Sequence, residues 1–217
     1  MSPPLPATAN IRVFISSTFH DFQIERNILV KRIFPDMRRQ LRESGLDLVE
    51  IDLRWGITAE QSERGETLPI CLAEVDRCRP YFIGLLGDRY GWVPPQRAIA
   101  SLALTYPEFS DAHGASATEL EIQHGALNAE GSARQRALFY FRASEAGVIQ
   151  NEPPECAAKL AALKHQIRQS GLPLVESYTS AEAFAGRLQA DLFDLIKRDF
   201  PDIEERHGQK RSEALHL

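Results

Sequence analysis

Residues 67–92, TLPICLAEVDRCRPYFIGLLGDRYGW, decide the fold. Thr67 reads as the cap of a helix with Pro69 in its first turn. That helix runs to about Cys78, and Pro80 bars its continuation. Tyr81–Leu86 is the most apolar strand candidate in the chain and belongs at the centre of a sheet; Gly87 opens a loop. A helix that hands over at once to a short, wholly apolar strand is a repeat unit of a parallel α/β domain, because only a strand covered on both faces loses its polar alternation.

Working outward, the same unit recurs. Towards the N-terminus, Ile11–Ile15 reads as a buried strand followed by a helix from about Phe19 to Arg42. Its apolar positions Phe22, Ile24, Ile28, Leu29, Ile33, Met37 and Leu41 lie near helical spacing, and Pro35 is expected to kink or split it. Leu46–Leu53 alternates with Asp47, Glu50 and Asp52 as a strand near a sheet edge does. Towards the C-terminus, residues 87–116 read mostly as loop with a short helix near Ile99–Leu104. A helix (Ala117–Asn128), a strand (Ala137–Phe141), a helix (Pro154–Gln169), a strand (Leu172–Tyr178) and a last helix (Ala181–Asp199) capped by Ser180 follow. Five strands and five helices predict one flavodoxin-like parallel sheet of order 2-1-3-4-5. The domain is expected over residues 11–200 with an insertion around 92–116, a disordered start over 1–10 and a charged tail or linker over 201–217.

Composition narrows the function. The 43% hydrophobic and 25% charged fractions are those of ordinary globular chains, and the net charge of −5 argues against a direct nucleic-acid partner. No run is long enough for a membrane span, and no signal peptide is legible at the start. Cys71 and Cys78, two turns apart on one helix, read as core thiols, which with Cys156 suits a reducing cytoplasm.

In a sheet of this order ligands bind beyond the carboxyl ends of the strands, where strands one and three diverge. That rule selects Ser16–His20, Asp52–Thr58 and Gly87–Trp92. Ser16, Ser17 and Thr18 form either an anion cradle or a plain cap. Arg54 and Trp55 suit a phosphate and a base, an anchor on the core, or a contact between copies. Asp88 and Tyr90 are expected to face one crevice, reached closely past Gly87 and Gly91. Glu119 and Glu121, two apart on a helix, point in different directions, so at most one enters the cleft. There is no dinucleotide fingerprint, phosphate-binding loop or nucleophile elbow, and no metal-ligand spacing.

Four ordered stretches, RVFISSTFHDFQIERNIL (12–29), VEIDLRWGIT (49–58), ICLAEVDRCRPYFIGLLGDRYGWVP (70–94) and SATELEIQHGAL (116–127), together resemble the TIR-like N-terminal domain of NACHT-, WD-repeat- and TPR-containing proteins. That family includes telomerase-associated and nephrocystin-type proteins and bacterial defence proteins of the NLR-like class. The resemblance implies the flavodoxin-like TIR sheet and a part in immune or antiphage signalling. It also implies either cleavage of NAD at the nicotinamide–ribose bond, with NAD as substrate and no cofactor, or a non-enzymatic scaffold that self-associates. A NACHT or repeat module is the implied downstream partner. In catalytic members a Glu on this helix contacts the ribose, and Glu121 fits that position best, with Glu119 its neighbour. The family's Trp is replaced by Ala117 or Thr118, with Trp92 or Trp55 as substitutes. The resemblance further assigns Ser16, Ser17, Thr18, Phe19 and Arg54 to phosphate or ribose, Asp88 to the crevice, and Trp55, Tyr90 or Trp92 to a ring. A weaker third option is a nucleoside-modifying transferase whose carboxylate attacks the sugar.

Overall fold

A computed structural model describes residues 9–18, 21–53, 67–131, 136–144 and 152–201. Five parallel strands lie in the order β2-β1-β3-β4-β5: β1 Ala9–Ser17, β2 Leu46–Ile51, β3 Tyr81–Leu86, β4 Ala137–Arg142 and β5 Leu174–Tyr178. The expected order and class hold, with Tyr81–Leu86 buried at every position in the middle of the sheet and the alternating Leu46–Ile51 at its edge.

Both faces of the sheet's centre are covered, which is why β3 is apolar throughout while the edge strands β2 and β5 carry polar residues. On one face Val13, Ile15, Ile83, Leu85 and Tyr140 meet α1 (Gln23–Ile28), α2 (Phe34–Glu43) and α7 (Ala181–Asp199). On the other, Phe14, Phe82 and Phe139 run as a row of rings beneath α3 (Thr67–Cys78), α5 (Ala117–Ile122) and α6 (Pro154–Gln169). The row is tight enough to dictate glycine beside it. A Cβ on Gly84 would stand 2.5 Å from the Phe139 ring, and one on Gly125 would stand 2.5 Å from the Phe82 ring.

Several local expectations are corrected. The expected break at Pro35 is present, but as a π-turn just before it: residues Leu29–Ile33 widen, with the Phe34 N–H bonding the Leu29 carbonyl, and the helix starts at Gln23 rather than Phe19. The widened turn lets a proline, which has no N–H and crowds the preceding turn, sit just inside α2. Ile24 is 68% exposed, whereas Glu25 and Arg26 face inward with Phe22 and Leu29. Thr67 is the first residue of α3 rather than its cap, and its hydroxyl has no partner among the described residues. Ser180 does cap α7, accepting from Ala183 N at 3.1 Å. The insertion is more ordered than expected: α4 (Gln96–Ala103) and a 3-10 turn at Pro107–Phe109 bring Ala98, Ile99, Leu102 and Phe109 onto Leu68, Leu72 and Leu120, a third small core. The short periodicity of Ala98, Ile99 and Leu102 is a full helical face, but eight residues among prolines and small residues carry it weakly.

Gly125→Ala is expected to lower stability by about 1–3 kcal/mol, because the Phe82 ring has no room to yield between Phe14 and Phe139. Urea unfolding monitored by circular dichroism measures it, and an unchanged midpoint contradicts the tight aromatic row.

Candidate functional site

The carboxyl end of β1 sends successive side chains to opposite faces, as a strand must. Ser16 turns towards α3 and α5 and donates its hydroxyl to Glu121 Oε2 at 2.6 Å. Ser17 turns towards α1, where its Oγ accepts from Arg26 Nε at 2.7 Å. The Arg26 guanidinium, 1% exposed, also donates to the Ser17 and Ile15 carbonyls at 3.2 and 3.3 Å and pairs with Asp52 at the end of β2. One buried cation thus ties the ends of β1 and β2 to α1.

Glu121 is brought to Ser16 by α5, which Ser116 caps by accepting from Glu119 N at 3.1 Å. Its other hydrogen-bonding neighbour is the Cys71 thiol of α3. Burial pushes the Glu121 carboxyl above its ordinary value; the Ser16 hydrogen bond, the Arg26 charge and the Cys71 hydrogen bond pull the other way without cancelling it. Burial, and then the nearby Glu121 charge, pushes the Cys71 thiol strongly upwards, which suits a proton donor rather than a nucleophile.

Glu119 points elsewhere. The buried Tyr90 hydroxyl donates to it and accepts from Ser116 N at 3.2 Å. Tyr90 therefore anchors the start of α5 and offers no ring face to a ligand. Asp88 accepts from the Ser144 hydroxyl beyond β4, so Asp88 and Tyr90 do not share a crevice. Thr18 donates to Asp21, and α1 begins only at Gln23, so the three hydroxyl residues do not themselves open the helix. The close approach at Gly91 is real: its φ is +95°, and a Cβ there would stand 2.9 Å from Thr18 and 3.5 Å from the Thr118 hydroxyl. Trp92 is 49% exposed while its carbonyl accepts from Ala117 N at 2.9 Å, fixing the backbone of an open ring. Phe19, Arg54 and Trp55 lie outside the described residues.

The crest thus gathers Ser16, Ser17, Thr18 and Glu121 and leaves Glu119, Asp88 and Tyr90 in separate contacts. Arg26 was not singled out from the sequence, Asp52 was marked only as the start of a strand-end loop, and Cys71 only as a core thiol. Arg26 had a signal: it stands four residues after Phe22 and three before Leu29, on the inward stripe, where an Arg needs a buried partner. Cys71 had none beyond its place on a helix expected to be buried.

A five-stranded parallel sheet of order 2-1-3-4-5 with helices on both faces defines the class, a flavodoxin-like α/β domain. Within that class, the chain belongs to the family described as Domain of unknown function (DUF4062), which matches residues 12–193. It is 38% identical over 138 residues to telomerase protein component 1 of Mus musculus, covering 61% of this chain and 5% of that protein. It is 30% identical over 227 residues to a TPR repeat-containing protein of Dictyostelium discoideum, covering 95% of this chain and 13% of that protein. NACHT and WD repeat domain-containing protein 2 of Mus musculus is 36% identical over 93 residues, covering 40% and 5% respectively. The chain therefore corresponds to a small part of the relatives it matches, as the NACHT, WD-repeat and TPR resemblance implied. No solved structure matches it.

Two outcomes test the buried charges. Because Glu121 has a raised folded value, its contribution to stability is complete below the ordinary 4.5 and is lost as pH rises through the folded value. Glu121→Gln is therefore expected to match the parent in acid and to gain on it with rising pH, read as the difference in melting temperature from about pH 4 to about pH 8. Arg26→Met, which takes the buried cation from beside Asp52, is expected to cost about 3–5 kcal/mol in urea unfolding, with part regained in the Arg26→Met, Asp52→Asn double variant.

Proposed function

We propose that this chain is a TIR-like effector domain that hydrolyses NAD at its nicotinamide–ribose bond. It does so when copies are brought together by the NACHT or repeat modules of a longer protein. The observation that carries this reading is Glu121: a carboxylate buried at the switch point and held by two neutral donors, Ser16 and Cys71, with no cation in contact among the described residues. Neutral donors fix its direction and leave its charge available.

The chemistry needs little else. The electron pair of the breaking C–N bond stays with nicotinamide, whose ring nitrogen becomes neutral, and the ribose takes the positive charge as an oxocarbenium-like centre. Water then bonds to that carbon and releases its proton to solvent. Ionised Glu121 offsets the developing charge and holds the ribose hydroxyls, and its value as a charge is large because its surroundings are dry. Ser16 is a positioning residue. Trp92, with its open face, takes the stacking role that the buried Tyr90 leaves.

Two other readings remain distinct in outcome. A self-associating scaffold, set beside modules such as the NACHT, WD and TPR ones named in the relatives, would assemble without turnover. A transferase would leave a sugar covalently bound to Glu121.

With assembly forced by fusion to an oligomeric scaffold, the domain is expected to release nicotinamide from NAD, and Glu121→Gln to lose at least about a hundredfold of that rate. The rate should fall in acid at a pH above the ordinary glutamate value of 4.5, since the ionised form acts. Undiminished release by Glu121→Gln sinks the assignment.

A further inference from the structure

Asp21 stands just beyond β1, where the chain turns towards α1. Its side chain is 12% exposed. Oδ1 accepts the Thr18 hydroxyl, but Oδ2 is buried with no hydrogen-bond donor among the described residues. Leaving a buried carboxylate oxygen without a donor is costly, and such an atom asks for a partner.

The nearest cation is Arg142 at the end of β4, whose Nη2 stands 3.6 Å from Oδ2, beyond hydrogen-bonding reach. It is not free to close the gap. Its Nη1 donates to the Asp21 carbonyl and, at 3.3 Å, to Glu25 Oε1. Its guanidinium lies 4.7 Å over the Phe22 ring, and Tyr178 fixes Glu25 from the other side at 3.2 Å. Gly87 faces both atoms: a Cβ there would stand 2.8 Å from Oδ2 and 3.3 Å from Nη2. The chain leaving β3 passes this pair as only glycine allows.

An acceptor lacking a donor, beside a donor held just out of reach, selects a group that gives one hydrogen bond and takes one. A hydroxyl does both; the phosphodiester oxygens of a dinucleotide have no proton to give to Oδ2, even though Arg142 and Arg89 both act on Asp21. Ser16, which holds Glu121, and Thr18, which holds Asp21, are two residues apart at the carboxyl end of β1, so the two carboxylates flank the same crest. We propose that Asp21 and Arg142 form a hydroxyl slot that takes a hydroxyl of the adenosine ribose of NAD while Glu121 meets the other ribose. The slot rests on the reading of the crest as an NAD site. It adds a specificity-determining pair that the motif around Glu121 does not contain. Burial holds the Asp21 carboxyl above its ordinary range, with the Thr18 and Asp21 backbone hydrogen bonds and then the Arg142 and Arg89 charges opposing.

The test is calorimetric titration of the assembled chain, in a Glu121→Gln background that prevents turnover, with NAD and its adenosine 2′-deoxy and 3′-deoxy analogues. One deoxy analogue is expected to bind about tenfold to a hundredfold more weakly than NAD. Asp21→Asn keeps an oxygen for Thr18 and the fold, checked by melting, but cannot accept at Oδ2. It should bind NAD as weakly as that analogue and no longer discriminate, and Asp21→Ala should do the same. NAD bound equally by Asp21→Asn and its background, or indifference to both deoxy analogues, overturns the slot even if the parent releases nicotinamide. Asp21-dependent binding without nicotinamide release keeps the slot and removes hydrolysis. Failure to bind NAD at all removes both.

Discussion

A guanidinium with almost no access to water is expensive unless every donor is used, and the architecture around the carboxyl ends of β1 and β2 is arranged to use them. Arg26 gives Nε to the Ser17 hydroxyl, Nη2 to two strand carbonyls and Nη1 to Asp52. Three elements are fixed by this one side chain: α1, which carries it, and the two strand ends it binds. Because Ser17 is committed to Arg26, its neighbour Ser16 is the hydroxyl that serves the opposite face. The alternation of a strand thus divides structural from candidate chemical work within two consecutive serines. Arg26 also reaches Glu121 through its field, as the only cation among the described influences on that carboxylate. It is close enough to temper the cost of burying the charge, yet not in contact to neutralise it.

The insertion between β3 and α5 has a comparable double attachment. Its helical part closes a small apolar core over α3 and α5, and its far end is held by Tyr90 and by Lys159 of α6, which donates to the Gly114 carbonyl at 2.6 Å. The start of α5 is thereby gripped from both sides, through Tyr90 on Glu119 and Ser116, and through Leu120 in the small core. Glu121 inherits its aim from that grip. The long segment that interrupts the motif resemblance is part of what orients the carboxylate.

Much of this was legible because burial writes itself into composition. The sheet order followed from five apolar runs and intervening helical spacings; the spacing of Glu119 and Glu121, about 200° apart on a helix, said only that at most one enters the cleft, and the preference for Glu121 came from the motif resemblance. What escaped reading was polar and buried. Arg26 and Glu25 occupy inward positions that hydrophobic periodicity passes over, and the same habit placed Ile24 in the core when it faces solvent. Tyr90 was read as a ligand platform because tyrosine at a glycine-rich turn has two good uses, and only the position of Ser116 and Glu119, nearly thirty residues on, selects one. Asp88 was misjudged likewise, since Ser144 is reached through β4 and no local pattern announces it.

Both helices that deliver a buried charge to the crest widen immediately afterwards: α1, bearing Arg26, passes into the π-turn at Leu29–Ile33, and α5, bearing Glu121, into that at Gln123–Leu127. A π-turn holds an extra residue, so it shifts the angular phase of everything downstream. The two stretches of each helix therefore answer to different demands, the first to the geometry of a charge at the strand ends and the second to packing against rings and sheet. Such a joint lets ancestry alter one without re-indexing the other. Homologous helices that lack the extra residue would present the same contacts from the charged turn while their following turns were rotated by a full residue's step, so comparison across the family by helical position must be reckoned separately on either side of the joint.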